Sequence, residues 1–288
     1  MYSKKLMSYT LLLLMMFTFF LPAAVTQAAS IDSVLGAMTS PTAASGDGGG
    51  GLLNSLFSLL FDKILGPIFN IFSGGGSSGG SSPVKITPQP GGSGTITDNG
   101  VLRGKVIVVD PGHGGNNPGA TGNGSIEAAN NLAVGLKLRD KLQQAGAKVY
   151  MTRETDRNVA PVGSTLGEEL QARVDLAESK GADLFVSVHS NDNPDPKIAG
   201  AMTFYSSGKS SKLASEVQSA LVQATGAANK GTSSATFYVL RNTTMPSILV
   251  EMGFVSNPQE AAKLNDNSYR NKVAQGVFNG LVQYFQKS

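Results

Sequence analysis

The 288-residue chain contains no cysteine and only two histidines. The first absence excludes disulfides and any cysteine nucleophile, so an exported form must draw its stability from its core alone. The second leaves an imidazole-based site only two positions to use. A serine triad is disfavoured once both are engaged elsewhere. Charge of one sign is also scarce, with 23 Lys and Arg against 20 Asp and Glu. Lys4 and Lys5, an apolar core from Leu11 to Leu21 and small residues ending at Ala28 predict an export signal over residues 1–28. That core is short for a membrane-spanning helix. Cleavage after Ala28 removes two lysines and no acid, taking the formal charge from +3 to +1. No nucleic-acid partner is expected of so balanced a chain.

Residues 29–100 read as a Gly/Ser-rich flexible segment rather than a domain. Gly48 to Gly51 is a glycine run, and Ser73 to Ser82 contains only Gly and Ser. Between those tracts, residues 52–72 (LLNSLFSLLFDKILGPIFNIF) are amphipathic. Asn54, Ser58, Asp62, Gly66 and Asn70 recur at every fourth position and lay a narrow polar stripe on an otherwise apolar helical surface. Pro67 is expected to end or kink that helix near Leu65. Such a surface needs a cover, whether a membrane surface, a partner protein or the domain's own cleft. The membrane surface is the favoured expectation, because flexible tracts on both sides let an interfacial helix lie flat. The expected location is therefore secreted or at the cell envelope, with membrane association through 52–72.

From Val101 onward, strand and helix patterns alternate. Val106 to Val109 form a buried strand, which Asp110, Pro111 and Gly112 stop before His113. Asp110 reads as a turn residue there. A helix over Ile126–Ala145 and a strand over Ala147–Thr152 follow, then a helix over Gly167–Lys180 and a strand over Asp183–Val188. Further strands are expected at Ala201–Tyr205, Phe237–Leu240 and Ser247–Val250, and helices at Ser210–Ala224, Glu260–Leu264 and Tyr269–Phe285. The alternation predicts a single α/β domain over 101–288, with a largely parallel sheet and helices on both faces.

Four residues form a candidate chemical set. His113, His189 and Glu251 each follow an apolar run, and Glu127 lies in the first turn of the helix after the His113 loop. In open α/β sheets ligands bind outside the carboxyl ends of the strands, where three of the four are expected. Taken singly, most have a plainer reading. A histidine after a strand is often a turn residue, and a first-turn acid is favoured by the helix dipole. Glu251 is harder to dismiss, because an unpaired charge at the end of an apolar strand is costly. Together they change meaning. Two imidazoles and a carboxylate make a catalytic zinc set with a position left for water, and the remaining carboxylate can take that water's proton.

The stretches VDPGHGG (109–115), the helix start at Glu127, Asn131 and Leu132, TRETD (152–156), the helix carrying Arg173, SVHSN (187–191) and VLRNTTMPSILVEMGFVSNPQE (239–260) resemble the zinc-dependent type 3 N-acetylmuramoyl-L-alanine amidases. The resemblance spans nearly all of Val101 to Phe285. It implies a twisted, mostly parallel six-stranded sheet, one zinc ion (Zn2+) per chain held by His113, Glu127 and His189, and Glu251 as the catalytic carboxylate. The implied substrate is peptidoglycan, cut at the amide between N-acetylmuramic acid and L-alanine. A peptidoglycan-binding protein that kept the fold without catalysis would be expected to lack a ligand or Glu251, and all four are present. Two departures stand out. Asp192 adds a negative charge near the expected metal, and the longer segment Asn158 to Gly167 is expected to loop near the cleft. No familiar wall-binding module accompanies the domain.

Overall fold

The computed structural model describes residues 98–288. The expected export signal at 1–28 and the amphipathic stretch at 52–72 lie outside the described residues. The first strand, β1 (Val106–Pro111), runs into the turn that carries His113. A two-residue hairpin of β2 (Thr121–Gly122) and β3 (Ser125–Ile126) then leads into α1 (Glu127–Gln144). β4 (Lys148–Met151), α2 (Leu166–Ser179), β5 (Leu184–Asn191), β6 (Ala201–Tyr205) and α3 (Ser211–Thr225) follow. The chain closes with β7 (Asn229–Ser234), α4 (Tyr238–Asn242), β8 (Ser247–Phe254), α5 (Pro258–Asn265) and α6 (Asn267–Gln286).

Six strands form one sheet in the order β4-β1-β5-β8-β6-β7. All neighbours are parallel except β6 and β8. Side chains alternate between faces along each strand, so β1 and β8 feed two separate cores. Ile107, Val109, Ile248 and Val250 pack with Val134 and Leu138 of α1, Leu213 and Val217 of α3, and Val277 and Leu281 of α6. Val108 and Leu249 face the other way, toward Val174 and Ala177 of α2 and Val239 and Leu240 of α4. Helices therefore cover both faces, as the alternation implies. Among the described residues no helix is long and apolar enough to cross a membrane.

The helix ends follow local chemistry. Thr165 and Glu168 form a reciprocal capping box at the start of α2. Asn257 caps α5, with Pro258 in its first turn, and Asp266 caps α6 through the Tyr269 amide. Two stretches differ from expectation. Phe237–Leu240 is not a strand: Leu240 N and Arg241 N both donate to Phe237 O, and Val239 and Leu240 are buried in the α2-side core. A short apolar run has no periodicity to separate strand from helix, and packing on α2 decides it. The edge strand β7 reads NKGTSS and has no hydrophobic alternation to announce it. An edge strand exposed to water has no need of one.

Candidate active site

β1, β5 and β8 lie side by side, and their carboxyl ends carry the chemistry. His189 and Glu251 are register partners across β5 and β8, which places them as same-face neighbours. Both strands run past the ends expected from the sequence, Val188 and Val250. β5 runs on to Asn191 and β8 to Phe254, with a register irregularity between His189 and Asn191. His113 arrives differently. It lies two residues beyond β1, with its backbone in the left-handed region at φ 59°. This is a conformation that a residue with a Cβ adopts only when its surroundings impose it.

Glu127 is the residue on which both imidazoles converge. It opens α1, whose buried stripe begins with polar residues, Glu127, Asn130 and Asn131, before turning apolar at Val134. Its Oε1 lies 2.8 Å from His189 Nδ1 and 3.2 Å from His113 Nε2. The same oxygen accepts from Ser190 N at 3.2 Å, and Oε2 accepts from Ala120 N at 2.8 Å. The imidazoles meet edge to face, 4.9 Å between centroids. One ligand atom from each of the three residues falls within 4.8 Å of the others. Glycine makes this closeness feasible. A Cβ on Gly112 would lie 2.1 Å from His189 Nε2, and one on Gly119 would lie 2.5 Å from Glu127 Oε2.

The charges fit a cation better than an empty pocket. Burial works to raise the Glu127 pKa, yet the neighbouring imidazoles hold its carboxyl far below the usual carboxylate range. Burial lowers His189, against the pull of Glu127, so its ring is neutral and able to act as a ligand. Burial, with the charge of Glu127, pushes Glu251 well above its ordinary value. Glu251 Oε2 is buried and has no hydrogen-bond partner among the described residues. Such an acceptor is costly unless something else occupies it. Asp192 is exposed and is not part of the three-residue cluster.

Two arginines build the turn that carries His113. Arg153, wholly buried, donates to the carbonyls of Pro111, Gly112 and Ala128 at 2.9, 2.9 and 2.7 Å. Arg173 donates to His113 O at 3.0 Å and Pro111 O at 3.1 Å. It also makes a 2.6 Å contact with Asp110 Oδ1. Burial and the neighbouring Arg173 charge bring Arg153 down to about 10. Asp110 is no turn residue. It is buried in β1, where burial is outweighed by Arg173 and the hydroxyls of Ser187 and Thr152, and its pKa is lowered. The sequence does carry a hint of this, since Arg173 interrupts the apolar stripe of Leu170, Val174 and Ala177 on α2. The root of the 158–167 loop lies beside the same turn, where Asn158 Oδ1 accepts from Asn116 N at 2.9 Å.

The N-acetylmuramoyl-L-alanine amidase family profile matches residues 107–283. The chain is 38% identical over 192 residues to the germination-specific N-acetylmuramoyl-L-alanine amidase of Bacillus subtilis (strain 168), covering 64% of this chain and 81% of that protein. The catalytic domain of the amidase CwlV from Bacillus (Paenibacillus) polymyxa var. colistinus superposes with a TM-score of 0.58 at 36% identity, covering 64% of this chain and 99% of that one. CwlD amidase from Clostridioides difficile, solved in complex with the GerS lipoprotein, gives 0.61 at 33% identity, covering 64% of this chain and 100% of that one. With the six-stranded sheet and the converging imidazoles already in hand, the match over most of the domain leaves one assignment: the chain belongs to the N-acetylmuramoyl-L-alanine amidase family.

Proposed function

We propose that this chain hydrolyses the amide between N-acetylmuramic acid and L-alanine in peptidoglycan, with His113, Glu127 and His189 holding one zinc ion and Glu251 carrying the proton. Family membership supports the bond cleaved. The donor set supports zinc, since two neutral imidazole nitrogens and a carboxylate are a common catalytic ligand set for that ion. Zinc, when bound, supplies Lewis acidity that polarises an amide carbonyl and makes a water acidic enough to attack at neutral pH.

The observation that carries the reading is the unpartnered Oε2 of buried Glu251, one strand across from His189. A carboxylate with a free oxygen beside the ligands is able to accept a proton from the attacking water and then donate it to the departing alanine nitrogen. Its raised pKa, due to burial and to Glu127, favours holding that proton between the two transfers. Neutralisation of the Glu127 charge by a cation returns Glu251 toward its accepting form, which links base function to loading of the cluster. The substrate and the expected export signal together support action at the cell envelope. The lipoprotein complex of the C. difficile neighbour supports a search for a protein partner there.

Glu251→Gln should keep the metal yet lose about 10²- to 10⁴-fold in turnover on cell walls, the usual scale for a general base. Glu127→Ala should instead lose the metal. Metal analysis of both proteins beside muropeptide release decides the assignment. Loss of metal from Glu251→Gln with retention in Glu127→Ala would show the two roles to be reversed.

A further inference from the structure

The turn after His113 brings a polar side chain back beneath the imidazole. Gly114 and Asn117 exchange backbone hydrogen bonds of 2.7 and 3.1 Å, forming an isolated antiparallel bridge. This places Asn117 Oδ1 3.1 Å from His113 Nδ1. The same oxygen accepts from Gly119 N at 3.0 Å. A backbone N–H can only donate, so the Asn117 atom facing it is the carbonyl oxygen and not the NH2 group. An amide oxygen can only accept, so the His113 nitrogen beside it, Nδ1, must carry the proton. A neutral imidazole protonated at Nδ1 has its lone pair on Nε2. That is the nitrogen turned into the cluster, 3.2 Å from Glu127 Oε1, where an ion would take the lone pair; without an ion this nitrogen faces an acceptor and can carry a proton as well.

We propose that Asn117 is a positioning residue for the metal centre, fixing the His113 tautomer and aiming Nε2 at the ion; this rests on reading His113, Glu127 and His189 as the ligands. His113 needs such a partner more than His189 does. It stands on a left-handed turn residue outside any strand, so the sheet ladder does not set its ring orientation. Hydrogen bonding of a ligand's second ring nitrogen is a general means of fixing its tautomer and raising its basicity. Here the partner comes four residues further along the same turn, so ligand and support form one local unit.

The test uses the full chain, stripped of metal, with Asn117→Leu and Asn117→Asp beside the unaltered protein. Leucine keeps the volume and removes the oxygen; aspartate keeps an oxygen in place. Zinc affinity, measured by competition with a chromophoric chelator, should fall about 10- to 100-fold in Asn117→Leu and be restored in Asn117→Asp. The histidine ¹⁵N shifts of the stripped protein give a reading independent of metal. They should show His113 Nδ1 protonated in the unaltered chain and in Asn117→Asp, and a bare Nδ1 in a measurable fraction of Asn117→Leu. If Asn117→Leu does not fold, Asn117→Ala takes its place. Unchanged zinc affinity in the folded variant, or an unprotonated His113 Nδ1 in the stripped chain, overturns the inference. Loss of zinc in His113→Ala in the same assay keeps the ligand assignment standing in that event. Absence of zinc binding by the unaltered protein would remove both.

Discussion

His189 and His113 approach the same carboxylate from two different kinds of backbone. His189 stands on β5, next to Glu251 on β8, and the hydrogen-bond ladder between those strands sets their spacing. His113 stands on a left-handed turn, and what holds it is a set of side chains: Arg153 and Arg173 on the carbonyls around it, and Asp110 behind Arg173. A ladder is regular and largely indifferent to side-chain identity. A turn built on buried guanidinium groups depends on each of them. One half of the site is thus secured by the fold as a whole, and the other by a few named residues.

The sharpest way to break the turn half is Arg173→Ala. It leaves Asp110 buried without its cation, a change that typically costs about 3–5 kcal/mol. Urea unfolding of the chelated protein should show that loss, and metal binding should weaken with it because His113 O loses its donor. A loss under about 1 kcal/mol, the scale of an exposed pair, would mean that the turn is held by something else. Gly112→Ala tests the place where the two halves meet. The new methyl must displace the His189 ring, and overpacking of this kind typically costs about 1–3 kcal/mol. Because the atoms displaced belong to a side-chain end, zinc affinity should suffer more than the unfolding midpoint. The reverse ranking would argue that Gly112 serves the fold and not the ligand.

The smallest effect is a slope in acid. Asp110 has a lowered native pKa, so it binds fewer protons folded than unfolded at mildly acidic pH. Its contribution to stability is present above its ordinary carboxylate value and is lost as the pH falls through the lowered native value. Chelated protein should therefore unfold more readily in moving from about pH 5 toward pH 2, and Arg173→Ala should lose that part of the slope. Equal slopes in the two proteins would assign the acid sensitivity to other carboxylates.

Much of the strand half was legible in the sequence, because apolar runs announce strands, His189 follows one directly and His113 follows another after Asp110, Pro111 and Gly112. The candidate set of His113, Glu127, His189 and Glu251 came from that pattern and from the helix start after the His113 loop, and the resemblance added the role expected of each. The arginine-built turn was not legible in the same way. Asp110 and Arg173 lie 63 residues apart, and Asp-Pro-Gly is locally a turn signal, so nothing short-range distinguishes a buried ion-paired acid from a loop residue. Likewise, α4 owes its helix to packing on α2, and β7 owes its pairing to β6, neither of which is written in local periodicity. Sequence patterns report what a segment buries. They report poorly on which distant partner it is buried against.

The strand order has one more consequence. β5 and β8 occupy the two middle positions of six; Glu251 is paired on both sides, with His189 and with Met202, and His189 sits one residue past the Val188–Pro111 pair on its β1 side. Amides in such positions exchange with solvent only when the sheet comes apart, whereas a terminal strand or an external turn opens in smaller fluctuations. The lifetime of the strand-borne half of the site is therefore the lifetime of the folded domain. Hydrogen exchange at the His113 turn, which side chains hold and no ladder does, should therefore report a lower opening free energy than exchange at the Glu251 amide.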